Sequence, residues 1–228
     1  MSAFLANPLW FATRASGTVA LILLTATTVL GTAGASRYKP TAIGRFELAS
    51  LHRNLSLLSL VLLAVHIGTA LADSYVPIGW ISVLVPFVSP YRTLWVGLGT
   101  VAFDLLLAVA LTSALRLRIG LRRWKAVHLC AYAAWPVAVF HAAGTGTDTR
   151  LGPQLVLYAA CIAAVLGALW WRLHRSGPGH TAARISAAVL SLAVPLAFYA
   201  FVVSGPLAPG WSHRAQQAAV APAAGARR

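Results

Sequence analysis

Four histidines lie inside apolar stretches of this chain, two to a stretch. His52 and His66 belong to LHRNLSLLSLVLLAVHIGTALA (51–72), and His128 and His141 to WKAVHLCAYAAWPVAVFHAAGT (124–145). Imidazole in hydrocarbon is costly, so it needs a partner or a task. On an ideal helix the 14 steps from His52 to His66 end ~40° short of four turns and rise ~21 Å, which aims both rings to one side, one near each membrane face. The 13 steps from His128 to His141 rise ~20 Å but leave the rings ~140° out of register. That span must tighten or bend, and Pro136 between the two histidines is the expected cause. If the two spans run parallel, His52 and His128 share one level and His66 and His141 the other. Two opposed imidazoles at one depth suit the axial positions of a heme iron, and a six-coordinate heme passes electrons instead of binding oxygen. Two such sites stacked through a bilayer would form an electron wire.

Two other readings of the histidines compete. Each ring alone fits a hydrogen bond to a neighbouring helix. A metal-ion permease is the non-redox alternative, but it would draw on Cys, Met, Asp or Glu ligands, and this chain has 1 Met and 4 acidic residues. His174, His180 and His213 fall in loops or the tail and read as solvated.

The elements around these residues follow from composition. The chain has 228 residues, is 59% hydrophobic and only 10% charged, and has a mean hydropathy of +0.75. Those values predict an all-α integral membrane protein, a bundle of six transmembrane helices over about 9–33, 47–71, 94–115, 125–144, 153–172 and 183–204. Residues 1–204 form one membrane domain, and the Ala/Pro-rich segment 205–228 is expected to be disordered. The net charge of +14 does not indicate nucleic acid, because the basic residues cluster in short loops between apolar runs. Arg37, Lys39 and Arg45 follow the first span, Arg116, Arg118, Arg122, Arg123 and Lys125 the third, and Arg172, Arg175 and Arg184 the fifth. Those loops should be cytoplasmic, with both termini outside the cell membrane. Cys130 and Cys161 read as small core residues. With no basic start and Arg14 inside the first apolar run, the N-terminal region does not read as a signal peptide.

Other residues have two readings each. The apolar, proline-broken loop 73–93 predicts an outer interfacial segment or lid. Asp104, mid-span, is a structural hydrogen-bonding residue or a proton or quinone contact. Asp148 and Arg150 directly follow His141 and serve either the outer site or a capped turn. Arg53, Arg123 and Lys125 flank the inner histidines as anchors or as partners for cofactor carboxylates.

The paired spacings, with one span and a basic loop between them, resemble the ferric reductase-like transmembrane domain superfamily over about residues 9–172. That superfamily includes NADPH oxidases, metalloreductases and the heme-binding membrane subunit of the periplasmic methionine sulfoxide reductase system. The resemblance implies two b-type hemes, with His52 and His128 as iron ligands of the inner one and His66 and His141 of the outer. It further implies that Arg14, in FATRASG, lies near a heme, where a propionate would answer its charge. It also suggests an aromatic bridge between the hemes, for which Trp135 stands one residue later than the family's usual position, now Ala134. No GxGxxG follows a strand, so the expected donor is a separate quinol or flavoprotein, with a flavin or quinone at one face. The expected acceptor is ferric iron or a reductase partner on the outer side.

Overall fold

The computed structural model describes residues 8–34, 44–73, 78–175 and 181–211. Six helices are long and apolar enough to cross a membrane, and no strand occurs among the described residues. Helix α1 is Pro8–Gly34, α2 Arg45–Ala72, α3 a short turn at Ile81–Leu84 and α4 Thr93–Ala114. Helices α5 (Arg116–Ile119) and α6 (Leu121–His128) lead into α7 (Ala131–Thr145), and α8 (Gly152–Arg175) and α9 (Thr181–Ser204) complete the bundle. The fold is an all-α, multi-pass membrane bundle. Its outward faces carry Leu57, Val61 and Val65 of α2 and Leu192, Leu196 and Tyr199 of α9, as lipid contact requires.

Threonine and serine hydroxyls inside the spans turn back to their own helix. Thr25 Oγ1 donates to the Leu21 carbonyl at 2.8 Å and Ser59 Oγ to Leu55 at 2.8 Å. These bonds keep the two hydroxyl hydrogens from facing hydrocarbon. Helix α1 packs along α2, and α4 along α7. A core of Leu21, Trp135, Val139, Tyr158, Cys161 and Phe198 fastens α1, α7, α8 and α9 together.

The fourth span is two helices. Helix α6 stops at His128, and α7 starts at Ala131. Across the join, Cys130 N–H donates to Val127 O at 2.9 Å, Tyr132 to Leu129 at 3.0 Å and Ala133 to Cys130 at 3.0 Å. These are i→i+3 bonds, which advance the chain ~120° per residue in place of ~100° and so add rotation in the direction the pairing needs. The expected bend therefore exists but not at Pro136, which stays inside α7. Proline acts one turn earlier. It cannot donate to Tyr132 O, and its ring crowds that carbonyl, so the deformation falls just ahead of Tyr132.

The segment 73–93 is a lid in part. Residues 74–77 lie outside the described residues. Beyond them Ser82 is buried, and its carbonyl accepts Thr100 Oγ1 at 2.6 Å. Trp80, Ile81 and Leu84 on the other side are 80%, 65% and 68% exposed. The segment thus lies over α4 and turns an apolar face outward. Phe87, at φ 64°, seats its ring on Gly97, where a Cβ would meet Phe87 Cδ1 at 2.3 Å.

The tail begins later than expected. Arg150 Nε donates to Pro206 O at 2.7 Å and Nη2 to Ala208 O at 2.5 Å. Trp211 packs on Trp95 and Phe201, with ring centroids at 5.9 and 6.0 Å. Residues 205–211 are therefore part of the fold, and the expected disorder of 212–228 concerns residues outside those described.

Candidate functional site

The histidines meet as two pairs. The ring centroids of His52 and His128 are 6.3 Å apart at 71° between planes, and those of His66 and His141 are 6.3 Å apart at 81°. Three of the rings are aimed by main-chain carbonyls. His52 Nδ1 lies 3.0 Å from Thr27 O, His66 Nδ1 2.8 Å from Thr13 O and His141 Nδ1 2.8 Å from Trp95 O. A carbonyl acceptor fixes the proton on Nδ1 and leaves Nε2 as the available ligand nitrogen. Among the described residues no group of three or more His, Cys, Asp or Glu forms, so each pair offers two imidazoles.

Each of the three aimed rings lies against a glycine of the facing helix. A Cβ added at Gly17 would stand 2.8 Å from His66 Cε1, at Gly31 3.2 Å from His52 Cε1, and at Gly99 2.5 Å from His141 Cε1. These glycines were not singled out from the sequence. Their signal was available, since Gly17 and Gly31 are 14 residues apart, the spacing of His52 and His66. On antiparallel α1 and α2, equal spacing sets ring against glycine at both levels.

The pairs open onto one cavity of about 1700 Å³. Arg14, His66 and His141 line it toward one end, His52, His128 and Arg172 toward the other, with Leu60 and Phe103 among its apolar wall. At the first end Arg14 Nε donates to Asp148 Oδ2, and the guanidinium lies 4.9 Å from the Trp10 ring. The anion expected for Arg14 was a cofactor carboxylate, and the structure provides Asp148. Asp148 is thereby part of the cavity rim, whereas Arg150 holds the tail.

Trp135 departs from its expected bridging position. It is 6% exposed within the core, its Nε1 donates to Thr25 Oγ1 at 2.9 Å, and it is not among the cavity-lining residues. Its size and polar tip fit a helix-to-helix tie. Asp104 is half-buried and also outside the lining. It lies two turns after Gly97, on the same face of α4. Arg53 and Lys125 line the cavity, while His180 and His213 lie outside the described residues. Arg92 is 3% exposed and donates to Gly144 O at 2.7 Å, closing the end of α7.

No curated protein and no solved structure matches the chain. Residues 16–139, which include His52, His66 and His128, match the profile of the ferric reductase like transmembrane component, and the chain belongs to that family of membrane electron-transfer proteins.

Proposed function

We propose that the chain binds two b-type hemes, one between His52 and His128 and one between His66 and His141, and carries electrons from one membrane face to the other. The observation that carries this reading is the pair of 6.3 Å ring separations. With metal–imidazole bonds of ~2.0 Å, an ion held by both rings of a pair would fit a separation of about this size. Two imidazoles per site need further donors to complete an iron, and a porphyrin brings four. The cavity between the helix pairs is the space such a group requires.

Bound heme supplies a one-electron couple at each level. The protein's part is positioning and exclusion. His52, His66 and His141 are held to one tautomer by carbonyls of α1 and α4, which raises their basicity as ligands. Leu21, Leu24, Leu60 and Phe103 line the wall and keep water from the path. Arg14 gives Nε to Asp148, and its remaining N–H donors suit a propionate.

The direction is from a quinol or flavoprotein donor on the basic, cytoplasmic side to an outer acceptor, ferric iron or a periplasmic-side reductase. Both termini then face outward from the cell membrane, in keeping with the distribution of Arg and Lys. A visible spectrum of the purified protein tests the reading. Reduced protein should give a sharp α band and two hemes per chain, falling to one in His52→Ala and in His141→Ala. A folded but colourless protein would sink it and favour the non-redox alternative, a metal-ion permease.

A further inference from the structure

Three of the four pair-forming histidines obey one rule of seating. The accepting carbonyl belongs to residue i of the facing helix and the glycine beneath the ring to residue i+4. The three seats are Thr13 and Gly17, Thr27 and Gly31, and Trp95 and Gly99. In an α-helix the carbonyl at i is already bonded to the N–H at i+4. Each imidazole is therefore a second donor to a shared carbonyl, and the missing Cβ at i+4 gives it room, more critically at Gly17 and Gly99 than at Gly31.

The fourth seat is not built. The position equivalent to Gly99 at the other level of α4 lies 14 residues on, the spacing of Gly17 and Gly31, and it is Ser113. The carbonyl four residues before it, Val109 O, takes the Thr112 hydroxyl at 3.2 Å. His128 Nδ1 is buried with no hydrogen-bond partner. Its ring is held by stacking on Trp124, at 4.9 Å and 32°, and Trp124 Nε1 is tethered to Ser113 Oγ at 3.2 Å. Stacking sets the plane of a ring but does not fix its tautomer or strengthen its nitrogen as a donor. The carbonyl partners of metal-bound histidines contribute roughly 10–100-fold to metal affinity. His128 also ends α6, at the join where regular helix is interrupted, whereas the other three lie within helices α2 and α7.

We propose that His128 is the releasable ligand and that the His52–His128 site admits a small neutral diatomic ligand, of the class of carbon monoxide, on the His128 side. The inference rests on the two-heme reading above. In the exchange the bond from His128 Nε2 breaks as the bond from the incoming ligand forms, with no electron or proton transferred. The His66–His141 site, with both rings seated, keeps both bonds.

The test uses the full chain in detergent, with heme-to-protein ratio measured first, then reduction and titration with carbon monoxide followed by visible absorption. The expected result is that half the heme responds. His141→Ala, which empties the other site, should leave a single heme that responds fully. Trp124→Ala, which leaves nothing to hold the plane of the His128 ring, should speed the response. Trp124→Phe, which keeps a ring to stack on but drops the tether, should fall between and covers the case that the alanine variant does not fold. Two hemes inert to carbon monoxide in wild type and in Trp124→Phe would overturn this inference and leave the two-heme reading standing. A response confined to the His66–His141 site, or equal at both, would overturn it too. A folded protein without heme removes both.

Discussion

Gly99 sets how closely His141 approaches α4. A methyl group there would stand 2.5 Å from the ring, and because that ring is tied to Trp95 O it has no unstrained place to go. On the two-heme proposal, Gly99→Ala and Gly17→Ala are expected to cost the His66–His141 site its heme, with overpacking of about 1–3 kcal/mol each, while the His52–His128 site would stay loaded. Heme stoichiometry together with thermal unfolding in detergent checks this. Gly167, in α8, has nothing within 4 Å of an added Cβ. Gly167→Ala should therefore leave heme content unchanged and raise stability by about 0.5–1 kcal/mol from helix propensity alone. At this scale the histidines were legible in the sequence, because imidazole in an apolar run is conspicuous. The seats were not, because their polar half is a main-chain carbonyl that any residue supplies. Trp135 misled for a related reason. Sequence places it between two histidines, but rotation about the helix turns it to the core side and Thr25.

At the scale of elements, the decisive feature is the join between α6 and α7. Pro136→Ala restores an N–H that can reach Tyr132 O, and it favours a straight span. Straightening would undo the extra rotation and turn His128 away from His52, so the His52–His128 heme should be lost first. The ratio of heme to protein and the width of the α band would register the loss. Arg92 offers a second test. It caps α7 through Gly144 O and Thr145 O from a buried position, and charged hydrogen bonds of this kind contribute about 1.5–3 kcal/mol each. Arg92→Ala should lower the unfolding temperature and loosen His141 with it. Span limits were readable to within a few residues, since length and hydropathy decide them. The break was readable only as a requirement. Its location depends on how proline strain spreads backward along the helix, which residue spacing does not state. The Ala, Pro and Gly content of the tail does not reveal that Arg150, outside it, holds residues 206 and 208.

Across the whole molecule, charge is sorted by end. Arg14, Arg92, Asp148 and Arg150 share the end where α7 finishes and the tail folds back. Arg53, Arg116, Lys125 and Arg172 line the cavity at the other. With Cys130 and Cys161, both free, replaced by serine, a cysteine put in by Ser212→Cys should react with an impermeant maleimide on intact cells, and one put in by Arg118→Cys only after lysis. The reverse pattern would invert the proposed direction of electron flow. The way α2 is held against α1 has a wider consequence. Its two imidazoles bond to the peptide units of Thr13 and Thr27, not to their side chains. Thr13→Ala and Thr27→Ala should keep the carbonyls that hold the rings, whereas Gly17→Ala puts a methyl 2.8 Å from the His66 ring, so a residue without a side chain would be harder to replace than the threonines beside it.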